Sequence, residues 1–327
     1  MNQETKTLIL GAGASRDVLY LPGSSLPSPL DSDFFELLQR LHPAKADAKA
    51  VRFVIQAALK NSTDALWRSM ERMFYTLHLR ATLEEMLFPR EAQGEVEKVL
   101  DKFTRAILAL LRAAHGTKAS FSHEKAFRKL GGDDAIITFN YDLVPERALK
   151  LIHEGNVDFG PWVYSFGRRP SGSENVPILL KLHGSVNWIA EPAGSSFRIR
   201  QKTWNAFDSQ PGYRAKGPIF PILLPEWDKK VGNPPWVDIW RRAAAHLRKT
   251  TTLIVWGYSL PLTDLKALEL FKLTVGSGEP TLKKVAVIDP DKEVRDRWRS
   301  LFLRQQFWQY DRMKALLDDP RGKVLWG

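Results

Sequence analysis

The sequence contains no cysteine. A disulfide framework, a thiolate zinc ribbon and a cysteine nucleophile are thereby excluded, and the composition fits a cytoplasmic setting. No apolar run approaches the roughly 20 residues that a membrane span needs, so no membrane association is expected. The opening stretch, MNQETKTLILGAG, has neither a basic leader nor a cleavage-type site, which predicts no secretory signal. Internal repeats and low-complexity tracts are lacking. So is a His-x₃-His pair or a carboxylate cluster at metal spacing, and no metal is expected. Acidic residues are the minority: 37 Asp and Glu against 48 Lys and Arg, a formal charge of +11. A basic surplus suits anionic ligands, nucleic acid or an acidic partner. No clustered basic stripe accompanies it, so nucleic acid is expected only as an indirect partner.

What is present is ample apolar material. With 327 residues, 44% of them hydrophobic, the chain can bury a large core, and it is read as a single domain over 1–327. A charged fraction of 26% argues against global disorder. Five short runs are apolar, β-rich and closed by Gly, Asn or Asp: Thr7–Leu10, Ala135–Phe139, Ile178–Leu182, Thr252–Trp256 and Lys284–Ile288. Continuous rather than alternating apolar runs are the mark of parallel strands buried on both faces. Their alternation with helical patterns predicts an α/β fold, a Rossmann-like parallel sheet with helices on both faces. Between the first and second runs, Asp33–Leu41, Asp47–Lys60, Thr63–Leu79 and Glu91–Ala114 repeat apolar residues at three-to-four spacing. They predict a helical module inserted at about 33–130. The stretch at about 190–240 is rich in Pro, Gly and Trp and reads as irregular, with Trp227 a candidate at a substrate entrance or a packed aromatic. From Asp289 onward the charged run PDKEVRDRWRSLFLRQQF reads as helical.

The first strand runs straight into Gly11-Ala12-Gly13-Ala14-Ser15. Glycines here allow a tight turn and close approach of a pyrophosphate to backbone amides at a helix start. Gly11, Ala12, Gly13 and Ser15 are therefore candidate cofactor-binding residues, with Arg16 as a nearby positive charge. A hydride-transfer dehydrogenase would place a small residue where Arg16 stands, and an acidic residue at the end of the second strand. Asp31 and Asp33 lie at about the right distance but in a loop entering a helix. Dinucleotide binding is favoured over hydride transfer. Two further strands end in Asn140-Tyr141-Asp142 and His183-Gly184-Ser185. Ligands of open α/β sheets sit outside the carboxyl ends of the strands, so these ends converge on one crevice. Taken singly, Asn140 and Asp142 also suit helix capping, and His183 suits a satisfied half-buried histidine.

The set GAGAS, TFNYD, LHGS, WGYSL and VIDP, in this order, resembles the Sir-two (sirtuin-like) family. The matching segments run from residue 8 to about 290. The resemblance implies an NAD pocket lined by Gly11, Ala12, Gly13, Ser15, Asp142, Gly257, Ser259 and Asp289. In the family, Asp142's counterpart accepts a bond from the nicotinamide carboxamide. Two features depart from the protein deacetylases: the cysteines of their zinc module are missing, and the loop after the glycine turn reads RDVLYLPGSSLPSPLDSDFF. What remains is similar to the bacterial sirtuin-like NAD hydrolases of antiviral defence, for which TFNYD, KLHGSVNW and GYSLPLTD are the expected motif forms. That branch implies an NAD+ glycohydrolase depleting NAD in abortive infection, self-association into a homo-oligomer, and a helicase-type ATPase or other defence protein as partner. The alternatives are an NAD or ADP-ribose sensor without turnover, and an NAD-dependent protein deacylase.

Chemically, the nicotinamide is already a cationic leaving group and needs no general acid. The site must orient the dinucleotide, stabilise an oxocarbenium-like state and place a water. Asn140 can hold a water or ribose hydroxyl at the reacting carbon. His183 can act as general base, since histidine titrates near working pH. Gly257 and Ser259 suit close phosphate or ribose contact, and Asp289 suits ribose hydroxyls or, equally, a turn at Asp-Pro. Asp264 reads as a helix N-cap, Glu84 and Glu85 as a solvated or helix-packing face, and Lys181 is set apart from the site.

Overall fold

The computed structural model describes residues 4–16, 26–60, 69–114, 121–153, 160–190, 197–199, 222, 231–232, 236–276 and 281–326. The chain opens with β1 (Lys6–Leu10) and a single helical turn, α1 (Ala12–Ser15). Five helices follow: α2 (Phe34–Arg40), α3 (Ala48–Lys60), α4 (Met70–Leu87), α5 (Glu95–Ala114) and α6 (Phe121–Phe127). Then come β2 (Ala135–Thr138), α7 (Val144–Ile152), a 3-10 turn (Pro161–Tyr164), β3 (Ile178–Lys181) and the pair β4 (Trp188–Ala190) and β5 (Phe197–Ile199). The last third holds α8 (Trp236–Leu247), β6 (Thr252–Trp256), α9 (Leu265–Phe271), β7 (Lys284–Ile288), α10 (Lys292–Leu301), β8 (Gln306–Tyr310) and α11 (Met313–Asp318).

The fold is α/β. Six strands form one sheet in the order β3-β2-β1-β6-β7-β8, and every neighbouring pair is parallel. The five apolar runs of the sequence are five of these strands. They are apolar throughout because helices cover both faces, leaving Leu8, Ile9, Ile136, Ile137, Leu253, Ile254 and Val255 with no exposure at all. The chain winds outward from β1 to β3, then crosses back over β1 to β6 and winds outward the other way. This is a doubly wound sheet, and its direction reverses between β1 and β6.

Apolar side chains gather in two cores. One surrounds the sheet. The other lies in the helical module, where α3, α4 and α5 bury Val51, Val54, Phe74, Phe103, Ile107 and Leu110. Phe74 and Phe103 meet edge to face at 5.1 Å. Ser69 caps α4 by accepting from the Arg72 amide at 3.2 Å. Glu85 accepts from the Val96 amide at 3.0 Å, which ties α4 to the start of α5.

One reading of the sequence needs correction. The C-terminal run is not helical throughout: α10 ends at Leu301, and Gln306–Tyr310 forms the sixth strand. QFWQY, at one edge of the sheet, is half exposed and lacks the continuous burial of the other five strands. The irregular stretch at about 190–240 contains the short β4–β5 hairpin, and α8 begins inside it at Trp236. Most of that stretch, Trp227 included, lies outside the described residues.

Candidate active site

Strand register brings the predicted residues to one edge. Leu10 pairs with Thr138 and with Trp256, Thr138 pairs with Lys181, and Trp256 pairs with Ile288. The residues just beyond these positions therefore form a row across five strand ends: His183, Asn140, Gly11, Gly257 and Asp289. At about 4.8 Å per strand the row spans about 19 Å. Its middle is the switch point between β1 and β6, where doubly wound sheets open a crevice.

At the centre, two backbones interlock. The Gly11 amide donates to the Trp256 carbonyl at 3.0 Å, and the Gly13 amide donates to the Gly257 carbonyl at 2.9 Å. A Cβ on Gly11 would stand 2.3 Å from the Gly257 carbonyl oxygen, and one on Gly257 would stand 2.2 Å from the Ala14 nitrogen. Gly257 also has φ +63°, a region side chains disfavour. The glycines are thus required first by packing of the turn against the β6 loop. The amides of Gly11, Gly13 and Ala14 are all bonded within the protein. The helix after the turn has four residues, Ala12–Ser15, in place of a long phosphate-facing helix start.

Asn140, Ser15 and Asp142 form a chain of hydrogen bonds. Asn140 Nδ2 donates to the Gly11 carbonyl at 2.8 Å and to Ser15 Oγ at 3.1 Å. Ser15 Oγ donates in turn to Asp142 Oδ2 at 2.7 Å. Asp142 Oδ1 accepts from the Val144 amide at 2.9 Å, which secures the start of α7. Both amide protons of Asn140 are committed, so its carboxamide oxygen is the atom left for a ligand. Asn140, at 8% exposure, is the least enclosed of the three. The hydroxyl proton of Ser15, a candidate cofactor-binding residue, goes to Asp142.

Beneath this chain lies a polar network that the sequence reading set apart. Lys181 is fully buried and donates to the carbonyl of Asp142 and to Glu146 Oε1, the latter at 2.9 Å. Tyr164 Oη also donates to Glu146 Oε1 at 2.9 Å, and Asn187 Nδ2 donates to Tyr164 Oη at 3.0 Å. Burial holds the Glu146 carboxyl above its ordinary value, and the Lys181 ammonium offsets part of that rise. The correction to Lys181 is therefore plain: it stands directly under the Asn-x-Asp segment and holds its backbone.

His183 sits at the end of the row. Its Nε2 lies 3.1 Å from Asp264 Oδ2, and its ring meets Phe139 edge to face at 5.0 Å. Phe139 stacks flat on Tyr258 at 4.0 Å. Asp264 does cap α9, accepting from the Ala267 amide at 3.4 Å, but the capping reading missed its contact with His183. At the other end of the row, Asp289 accepts from the Asp291 amide at 2.9 Å, which is the turn reading. Burial raises its carboxyl above the ordinary value. Ser259 is exposed, and its carbonyl accepts from Arg297 at 2.6 Å.

The helical module touches this edge at several points. Asp33 pairs with Arg16, and Thr263 donates to the Glu71 carboxylate, while Asp31 secures the first turn of α4 by accepting from the Glu71 amide at 2.8 Å. Tyr141 and Val186 pack into the module's core, whereas Phe139 and Trp188 pack into the core of the sheet. Among the described residues no group of three or more His, Asp or Glu is arranged to hold a metal, and no helix is long and apolar enough to cross a membrane.

No family model and no curated protein matches the chain. Solved structures of Sir2 enzymes do. One matches at 14% identity over 99% of this chain and 92% of that one, with a TM-score of 0.44. A Sir2 enzyme with a p53 peptide and NAD+ matches at 15% identity over 96% and 90%, with a TM-score of 0.44. A mutant Sir2 homologue with ADP-ribose matches at 12% identity over 96% and 88%, with a TM-score of 0.41. Likeness at these identities concerns the fold alone.

Proposed function

We propose that this chain is an NAD+ glycohydrolase. The observation that carries the reading is the row of strand ends along one edge of the sheet, with the Asn140–Ser15–Asp142 chain and His183 towards one end, and Gly257 and Asp289 towards the other. NAD lies along it as substrate, with nicotinamide and its ribose at the Asn140–His183 end and adenosine towards Asp289. The Asn140 carboxamide oxygen accepts from the attacking water or a ribose hydroxyl. His183 takes the proton as the oxygen of water bonds to the ribose carbon and the carbon–nitrogen bond to nicotinamide breaks. The balance is NAD+ and water to nicotinamide, ADP-ribose and a proton. Asp142, whose carboxylate accepts from Ser15 and the Val144 amide, faces the carboxamide of nicotinamide.

The test is nicotinamide release from NAD by the purified chain, followed chromatographically. Asn140→Ala and His183→Ala should each lower kcat by at least about a hundredfold, the scale of one lost acid–base or orienting group, while the protein remains folded. Full activity in both variants removes the assignment. The missing cysteines favour simple hydrolysis over deacylation; turnover that required an acyl-lysine peptide would restore the deacylase. Tight NAD binding without turnover identifies a sensor. On the sequence resemblance alone, the setting is NAD depletion in antiviral defence. The trigger then comes from self-assembly or from a helicase-type ATPase partner, with nucleic acid engaged through that partner.

A further inference from the structure

His183 is the one proposed catalytic group whose chemistry depends on where a single proton sits. A neutral imidazole has one protonated and one basic nitrogen, and the partner of the first decides which is the second. The side chains of His183 and Asp264 are 9% and 3% exposed, so this contact is shielded from bulk water. Asp264 is in turn held from three sides. Tyr258 Oη donates to Oδ2 at 2.9 Å, the same oxygen that meets His183 Nε2 at 3.1 Å. The Ala267 amide donates to Oδ1 at 3.4 Å. Its neighbour Thr263 donates to Glu71 on α4. Burial, and then the charge of Asp264, raise the Tyr258 phenol well above its ordinary value, so it stays protonated and donates. The Tyr258 ring is fixed by its stack on Phe139, which also bears edge to face on His183.

We infer that Asp264, steadied by Tyr258, is a positioning residue that accepts the Nε2 proton of His183, fixes its ring plane and makes Nδ1 the basic nitrogen. Neither residue touches the substrate. Asp264 is a carboxylate because a carboxylate is acceptor-only and so enforces one tautomer, whereas an amide could donate or accept. The logic is that of any oriented imidazole base: the residue behind the histidine sets its tautomer and steadies the imidazolium once formed. Thr263 gives this arrangement a second consequence. The loop carrying Asp264 is fastened to the first turn of α4, so a shift of the helical module moves the residue that orients the base.

The inference rests on His183 as the proton acceptor, and the experiment separates the two ideas. The full chain, labelled with ¹⁵N-histidine, is examined by long-range proton–nitrogen correlation on the alkaline side of the ring's titration. The His183 signals are assigned by their loss in His183→Gln. Wild type should show the proton on Nε2 alone. Asp264→Asn, which keeps the cap and the volume, should show a mixture of tautomers, and identical spectra overturn the inference whether or not NAD is cleaved. In the NAD assay Asp264→Asn should lower kcat about 10²- to 10⁴-fold, the range of a general base, with KM within about threefold. Tyr258→Phe, which keeps the stack, should lose about tenfold, roughly one hydrogen bond to a charged group. If wild type cleaves NAD and His183→Ala does not, yet Asp264→Asn matches wild type, the positioning role fails and the hydrolase reading stands. If wild type never cleaves NAD but the tautomer still switches, the hydrolase reading fails and the Asp264–His183 pairing stands.

Discussion

Replacing Lys181 by methionine keeps the volume and removes the ammonium that pairs with a wholly buried carboxylate, Glu146 at 2.9 Å. Breaking a buried pair at one partner costs about 3–5 kcal/mol, because the other charge is left uncompensated. At about 2 °C per kcal/mol for a chain of this size, that is a fall of roughly 6–10 °C in Tm. The carboxylate has one escape, which is to take a proton. Burial already raises the Glu146 carboxyl and Lys181 offsets part of that rise, so in the variant it rises well above its unfolded value. An acid with a raised folded value binds more protons folded than unfolded. Its penalty is absent below the unfolded value near 4.3 and grows by about 1.4 kcal/mol per pH unit up to the folded value. Lys181→Met should therefore be far closer to wild type at pH 5 than at pH 8. Adding Glu146→Gln should abolish that pH dependence and recover part of the loss at pH 8, since the amide still accepts from Tyr164. Thermal unfolding at pH 5, 6.5 and 8 measures all three proteins. A Lys181→Met variant within about 2 °C of wild type at pH 8, or equally impaired at both extremes, refutes the reasoning.

Other substitutions probe the rest of the edge. Gly257→Ala puts a Cβ 2.2 Å from the Ala14 nitrogen at φ +63°; it should lower Tm by several degrees and abolish NAD binding, as measured by calorimetry of both. Asp289→Asn should raise KM for NAD about tenfold, one charge-assisted hydrogen bond, with kcat unchanged; a change in kcat alone contradicts the adenosine-side assignment. His123 is packed at 4.3 Å on Trp256, and burial lowers its value to about 3. Its unfolded value is higher, near 6.5, so it contributes stability that is fully present above pH 6.5 and is lost as pH falls towards 3, by about 1.4 kcal/mol per unit. His123→Phe should flatten the decline between pH 6 and pH 4 by about one proton in urea titrations, and an unchanged slope would show that the ring is not held neutral.

The sheet was legible wherever burial is complete. β1, β2, β3, β6 and β7 lie in the middle of the sheet or under helices on both faces, and a strand with two apolar environments writes an unbroken apolar run. β8 was not legible, because QFWQY is half exposed and mixes glutamines with aromatics beside a charged helix. The candidate site shows the same division between local and distant causes. Asp264 was read as a cap, which is a local matter of four residues, and the cap is there. Its second oxygen serves His183, far along the chain, and no spacing rule reaches that far. Lys181 and Glu146 are 35 residues apart and meet only because α7 folds over β3. A lysine at the end of an apolar strand, with no exposure available to it, was the one signal of such a partner, since lysine is almost never buried unpaired.

The residues around Asn140 explain why strand ends, rather than strands, carry the chemistry. Phe139 belongs to the sheet's core and Tyr141 to the module's core. Asn140, between them, can belong to neither. Beyond β3 the chain does the same: Val186 packs with the module and Trp188 with the sheet, and the polar Asn187 stands between them. A seam between two apolar cores is where polar side chains are held firmly yet kept within reach of solvent. It is also where movement of one core against the other is felt first. Arg16 with Asp33, and Thr263 with Glu71, cross that seam on either side of the row. The helical module is therefore part of the site's geometry, although none of its helices supplies a residue to the row.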